Sequence, residues 1–398
     1  MTKTPITLQE LRQRIYRKAK SEPTHRFWGL FTHITKMTTL HEAYQQAGKN
    51  NGAPGIDGKS FADIELEGVI PFLTGIQEKL QAGIYRPQAN RKVEIPKANS
   101  KMRTLQIPCI RDRVVQGALK LILEAIFEAD FCPNSYGFRP KRSPHQALAE
   151  VRRSILRRMT IIIDVDLSRY FDTIRHNILL EKIAKRVQDP QVMHLVKQVI
   201  KAAGKIGVPQ GGPFSPLAAN IYLNEVDWTF DAIRRKTAEG NYEAVNYHRF
   251  ADDIVIAVSG HSSKSGWAEL ALRRLWEQLK PLGVELNLEK TQMVNVLKGE
   301  SFGFLGFDLR RIPNRNKNGF FVFMIPKKKA RTTVKAKIRT LLTRRKRRRK
   351  RSIGWQRWSN EYLYGVLGLY WDWKVQRVFD ESVCHLIGLI TLLMKFMG

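Results

Sequence analysis

The sequence predicts a mixed α+β fold built on an antiparallel sheet whose strands end in carboxylates. Three observations lead there. Tyr247-His248-Arg249-Phe250-Ala251-Asp252-Asp253-Ile254-Val255-Ile256-Ala257-Val258 sets two adjacent acids between apolar, β-branched runs, the pattern of a β-hairpin with the acids at or near its turn. Ile161-Ile162-Ile163-Asp164-Val165-Asp166 is a second apolar strand that runs into acids. Around both, apolar residues recur at helical spacing. Neighbouring residues on a strand point to opposite faces, so Asp252 and Asp253 share a site only across a turn or from different sides, and a further carboxylate comes from the other strand. Asp164 and Asp166 fall on one face of that strand, and the pattern alone admits either.

In chain order, residues 1–50 carry helical spacing, with Leu8, Leu11, Ile15, Leu30, Ile34, Leu40 and Ala43 on apolar faces among many cations. Asn50 to Gly58 breaks this helical extension with a Gly/Pro/Asn run. A helix is expected over 64–82, then a ribbon of two strands, Lys92 to Lys97 and Met102 to Pro108, turning at 99–101. Lys97, Lys101 and Arg103 on such a ribbon suit a triphosphate, whose negative charge shifts during transfer. Asp112 to Ile126 reads as a long helix. Ser135-Tyr136-Gly137-Phe138-Arg139-Pro140-Lys141-Arg142-Ser143 interleaves rings and cations, and Arg139, Lys141 and Arg142 are candidates for gripping a nucleic-acid backbone.

Tyr170 and Phe171 follow the acid strand, where a ring beside the site would exclude a 2′-hydroxyl by bulk. Gly207-Val208-Pro209-Gln210-Gly211-Gly212-Pro213 leads into the helical run Leu217 to Leu223, where glycines let the backbone approach a ligand and exposed N–H groups suit a phosphate or base. It is not a Walker loop, because no Gly-Lys-Ser/Thr follows. A helix is expected over 267–282, a strand within 283–291 that carries Lys290, and an apolar ribbon over 302–307.

Bulk composition narrows the function. Lys and Arg number 68 against 36 Asp and Glu, a formal charge of +32 over 398 residues, which points to a polyanionic partner. Residues 327–351 hold 15 Lys or Arg, Arg345 and Arg348 among them, and no acid; subtracting them from +32 leaves +17, so the positive charge is distributed. Seven aromatic residues between Trp355 and Trp373 follow, the composition of a folded helical unit. Cys109, Cys132 and Cys384 are isolated, against a zinc site or a disulfide framework and in favour of a reducing cytoplasm. Met1 to Glu22 lacks the apolar core of a secretory signal. The apolar stretch Leu386 to Met394 is too short to span a bilayer and reads as a buried helix, so no membrane is expected as a partner. Three carboxylates from two strands would hold two Mg²⁺ ions, a device that activates a hydroxyl and stabilises a leaving pyrophosphate.

Taken together, these stretches resemble the reverse transcriptase family in its bacterial group II intron form. The resemblance runs from about Gly52 to Phe307: Asn51-Gly52-Ala53-Pro54-Gly55-Ile56-Asp57-Gly58, Ile95-Pro96-Lys97 through Ile107-Pro108, Arg111-Asp112-Arg113-Val114-Val115-Gln116, Ser135 to Pro140, Pro209-Gln210-Gly211-Gly212 with Ser215-Pro216-Leu217 and Ala219-Asn220-Ile221-Tyr222-Leu223, and the Ala-Asp-Asp hairpin, in that order. It implies a right-hand polymerase with fingers over 51–160, a palm with an antiparallel sheet over 161–310 that lends 175–215 to the fingers, and a short basic thumb or maturase-like domain over 311–398.

It further implies Asp166, Asp252 and Asp253 as metal ligands, Lys97 and Arg103 as triphosphate contacts, Phe171 as sugar gate, Gln210 and Gly211 as nucleotide contacts and Lys290 as acid. The implied reaction is DNA synthesis from dNTPs on an RNA template, an intron or a dedicated noncoding RNA, extending a DNA primer in a bacterial cytoplasm. A splicing maturase with secondary or lost polymerisation, or an antiphage-defence enzyme, is the alternative role. Phe250 departs from the family's usual Tyr before Ala-Asp-Asp, and no Cys-rich nuclease is expected in the residues after 310.

Overall fold

The computed structural model describes residues 6–50, 52–96, 102–239, 244–260, 266–314, 319–333 and 336. Two compact units divide the chain, Met1–Ile325 and Pro326–Gly398. The first carries all the elements named below, apart from the final residue of the last strand. Lys97, Lys101, the far end of the basic run with Arg345 and Arg348, the aromatic stretch after Trp355 and the apolar stretch after Leu386 lie outside the described residues.

Helices α1 (Leu8–Ser21), α2 (Leu30–Ile34) and α3 (Met37–Lys49) occupy the first fifty residues, as the helical spacing there predicts. Thr7 and Glu10 close a capping box at the start of α1, satisfying two donors that the first turn leaves unpaired. Helix α4 (Phe61–Glu67) and α5 (Val69–Gln81) replace the single helix expected over 64–82, because Gly68, at φ 102°, ends one and opens the other. Strands β1 (Arg91–Pro96) and β2 (Met102–Ile107) make the antiparallel ribbon, with Ile95 opposite Arg103.

The hub of the helical half is α6 (Ile110–Asp130), against which α1 and α3 pack through Ile15, Ala19, Leu40 and Ala43. Each isoleucine or leucine fully withdrawn from water here contributes about 1.5–3 kcal/mol. Next come α7 (Pro144–Leu156), β3 (Met159–Asp166), the single turn α8 (Tyr170–Thr173), α9 (His176–Ala184), α10 (Pro190–Lys201) and the long α11 (Ser215–Glu239).

Strands β4 (Val245–Phe250) and β5 (Asp253–Ser259), helix α12 (Trp267–Leu279) and strand β6 (Gln292–Asn295) complete a four-stranded antiparallel sheet in the order β4-β5-β3-β6. A separate sheet holds β7 (Ser301–Phe304), β8 (Phe307–Pro313) and β9 (Phe320–Pro326). Strand β8 spans residues 310 and 311, and the first unit extends to Ile325.

Period-two alternation divides the four-stranded sheet cleanly. Ile163, Val165, Tyr247, Ile254, Ile256 and Val258 join the large core beneath α11, while Ile162, Val255, Ala257 and Val294 join a smaller core with α7 and the β7–β9 sheet. Asp164, Asp166 and Asp253 continue this second face past the end of the smaller core. The strand expected within 283–291 begins later, at Gln292, because Asn287 folds a turn: its carbonyl accepts from Lys290 N at 3.1 Å and Thr291 N at 2.8 Å. Among the described residues, no helix is long and apolar enough to cross a membrane.

His248 makes the smaller core pH-sensitive. It is buried, its Nε2 lies 2.9 Å from Ser154 Oγ, and burial, reinforced by the nearby Arg234 charge, brings its pKa from 6.5 down to about 3. The unfolded chain therefore binds a proton between these values that the folded protein refuses, so His248's neutral fit is fully available above pH 6.5 and is lost as pH falls toward 3. His248→Gln is expected to flatten that decline; urea midpoints measured at steps from about pH 7 to about pH 4 check it, parallel curves for the two proteins contradicting it.

Candidate active site

Asp166 and Asp253 stand directly opposite one another in the β3–β5 register. Opposed residues of an antiparallel pair place their Cβ atoms about 4.5–5.5 Å apart on one face, so two like charges share the end of the sheet. Asp252 sits in the two-residue turn Ala251-Asp252 that links β4 to β5, with Phe250 and Asp253 paired across it. The hairpin read from sequence thus has its acids at the turn. Ala251 has a left-handed backbone, φ 59°, which for a non-glycine residue costs about 1–2 kcal/mol and persists only where its surroundings hold it. Asp252 and Asp253 are exposed and Asp166 is half-buried.

The Asp166 carboxylate has two partners that come from the turn after α12. Lys290 Nζ lies 2.9 Å from its Oδ2, and Asn287 Nδ2 donates to the same oxygen at 2.9 Å. Asn287 N also donates to the Asp166 carbonyl at 2.8 Å, so one residue fixes both the backbone and the side chain of Asp166. Asp164 shares the face two pairs farther from the turn, opposite Val255, with Gln292 Nε2 3.2 Å from its Oδ2.

Among the described residues, no three His, Cys, Asp or Glu side chains form a ready-made metal cage. The donor chemistry suits Mg²⁺ all the same, since that ion takes hard oxygen ligands, one or two of them carboxylates, and completes its shell with water and substrate phosphate.

Three further elements that carry candidate residues contact one another. Phe171 is half-buried, its carbonyl accepting from Val208 N at 2.8 Å, and its ring stands edge-on to the exposed ring of Phe138, 6.4 Å between centroids. Gln210 Nε2 donates to Asp172 Oδ1 at 3.1 Å, and the Gln210 carbonyl accepts from Gln106 N of β2 at 3.1 Å, tying the nucleotide-loop candidate to the ribbon. Gly211 has φ 130°, and a Cβ there would come within 2.9 Å of the Gln106 carbonyl oxygen, so only glycine passes under the ribbon.

Arg139 is corrected as a nucleic-acid contact. It is 8% exposed, donates to Glu128 through Nε at 3.0 Å and Nη2 at 2.8 Å, and caps the carbonyls of Cys132 and Ser135 through Nη1 at 2.7 and 2.6 Å. Its guanidinium is spent inside the fold. Lys141 and Arg142 are exposed, Arg142 lying 5.5 Å over the Tyr136 ring.

The family described as reverse transcriptase (RNA-dependent DNA polymerase) matches residues 95–309, from the ribbon through all three acids into β8. The chain belongs to the reverse transcriptase family. By that membership it is an RNA-directed DNA polymerase. Protein YkfC of Escherichia coli (strain K12) is 35% identical to this reverse transcriptase over 364 residues, covering 82% of this chain and 94% of YkfC. The group II intron-encoded protein LtrA of Lactococcus lactis subsp. cremoris is 28% identical over 394 residues, covering 79% of this chain and 64% of LtrA. Nuclear intron maturase 1, mitochondrial, of Arabidopsis thaliana is 33% identical over 98 residues, 25% of this chain and 14% of that protein.

Two site-building residues of this reverse transcriptase carry no signal when read as isolated letters. Asn287 sits among apolar and acidic residues with nothing to mark its contact, 121 positions away, with Asp166. Gly137 lies against the acid turn: a Cβ there would press on the Ala251 amide and come within 2.9 Å of the Phe250 carbonyl carbon.

Proposed function

We propose that the chain copies RNA into DNA by group II intron-type nucleotidyl transfer, adding dNTPs to a DNA primer's 3′-hydroxyl. The observation that carries this is the facing pair Asp166 and Asp253, one residue from Asp252, inside the stretch that matches the family. In this reading those three aspartates hold two Mg²⁺ ions, which when bound lower the pKa of the primer hydroxyl and offset charge on the leaving pyrophosphate.

The chain's own groups do the rest. Asn287 holds the Asp166 carboxylate in place. Lys290 Nζ, close to the acids, gives a proton to the departing pyrophosphate oxygen. Gln210 and Gly211 contact the incoming nucleotide, Lys97 and Arg103 its triphosphate, and Lys141, Arg142, Arg345 and Arg348 the nucleic-acid backbone. Phe171 occupies the space that a 2′-hydroxyl would need. A bacterial cytoplasmic location accords with the two bacterial relatives.

Purified full-length protein with an RNA template, DNA primer, dNTPs and Mg²⁺ is expected to extend the primer, and Phe171→Ala is expected to relax exclusion of ribonucleotides by about tenfold or more. Lack of any templated extension would refute the polymerase reading; unchanged discrimination in the variant would refute the gate. A second reading, intron RNA binding that assists splicing, draws on the similarity to LtrA, and splicing assistance that survives loss of the acids would favour it.

A further inference from the structure

Arg249 looks unremarkable in the sequence, a cation two positions before Ala251. In the fold it is 0% exposed, on the face of β4 opposite the acids, and every nitrogen of its guanidinium is engaged. Nε and Nη2 donate to the two oxygens of Asp227 on α11 at 2.7 and 2.6 Å, a fork-on-fork pair whose members are both 0% exposed. Nη1 donates to Asn220 Oδ1 at 3.0 Å and to the Ala251 carbonyl at 2.9 Å. Asp227 also accepts from Tyr247 Oη at 2.9 Å, and Asn220 Nδ2 donates to the Gly137 carbonyl at 2.8 Å.

The Ala251 carbonyl belongs to the peptide that leads into Asp252. A two-residue turn with a strained left-handed residue has other conformations within reach, and each would swing that peptide and the carboxylate after it. A guanidinium anchored on two oxygens of a rigid helix cannot follow such a swing, since its planar fork fixes the direction of the remaining donor. Helix α11 is the same helix that opens at the Gln210-Gly211 loop, so one rigid element holds both the nucleotide loop and the acid turn.

We propose that Arg249, anchored by Asp227, is a positioning residue that fixes the direction of the Asp252 and Asp253 carboxylates through the Ala251 carbonyl. This rests on the reading of those acids as metal ligands.

The test replaces both charges at once, Asp227→Leu with Arg249→Met, in the full-length chain. Swapping a buried ion pair for apolar residues of similar volume often costs little in itself, but Tyr247 Oη, Asn220 Oδ1 and the Ala251 carbonyl lose a partner here, so a lower melting temperature is expected on either account, and a purely structural pair predicts normal function well below it. The positioning role predicts, at a temperature where the variant is fully folded, turnover of primer extension down about a hundredfold and the dNTP KM within about threefold. It also predicts that the concentration of Mn²⁺ giving half-occupancy, read by electron paramagnetic resonance without nucleic acid, rises about tenfold. Wild-type turnover and Mn²⁺ affinity in the double variant would overturn the proposal. If that variant does not fold, Arg249→Lys decides by the same two readouts, because an ammonium keeps the charge but cannot reach both Asp227 oxygens and the Ala251 carbonyl. Wild-type protein that binds no Mn²⁺ at this turn would instead overturn the metal-site reading.

Discussion

Asparagine in place of Asp253 is expected to lower turnover of RNA-templated primer extension by about a thousandfold or more, equivalent to about 4 kcal/mol of transition-state stabilisation, without unfolding the protein. The substitution keeps the side chain's size and removes one negative charge from an exposed position. In the folded protein that charge faces Asp166 across β3 and β5, and like charges directly opposite are destabilising. The melting temperature should therefore hold steady or rise slightly while activity collapses. That opposition of signs separates a working carboxylate from a structural one, and single-turnover extension measured beside a thermal melt reads both. Activity within about tenfold of wild type would remove Asp253 from the chemistry.

Gly137→Ala should be nearly as damaging to turnover, by a different route. One added methyl would push on the Ala251 amide and on the Phe250 carbonyl carbon, the backbone that carries the acids and whose Arg249 carbonyl also accepts from Tyr136 N at 2.8 Å. The methyl cannot rotate away, so the turn or the 136–138 segment must shift by several tenths of an ångström. Displacements on this scale at reacting groups cost about a hundredfold in rate. Folding should survive, because the methyl's nearest contacts all fall on Phe250 and Ala251 at the end of the sheet. Near-normal turnover in a variant of normal melting temperature would mean that the turn tolerates displacement and that the close approach has no catalytic consequence.

How much of this was legible beforehand depended on distance along the chain. The acid hairpin could be read because its signal is local: alternating β-branched residues, two acids, then the alternation again. The two-strand ribbon and the long helix that follows it were readable for the same reason. Asp164 and Asp166 could not be separated by pattern, since both lie on one face; the β3–β5 register distinguishes them by setting Asp166 opposite Asp253 and Asp164 opposite Val255.

Arg139 misled because an arginine between aromatics looks the same whether it reaches solvent or turns inward to Glu128. The break at Gly68 and the late start of β6 were missed because each turns on one residue's local backbone. Asp227 reads as an ordinary polar interruption of a helix, and only the fold sets it against Arg249, 22 positions later. Long-range polar pairing leaves no periodic trace, so residues that hold others in place stayed hidden while those that repeat with the strand did not.

The central claim, that side-chain oxygens from β3 and from the β4–β5 turn jointly bind a pair of metal ions, is tested most directly by counting them. Mn²⁺ bound by the full-length protein, measured by electron paramagnetic resonance with an RNA–DNA primer-template ended by a chain terminator and with the next dNTP present, should amount to two ions per protein. Asp166→Asn should lose at least one of them or weaken its binding by about tenfold or more. An unchanged ion count and unchanged affinity in that variant would contradict the account.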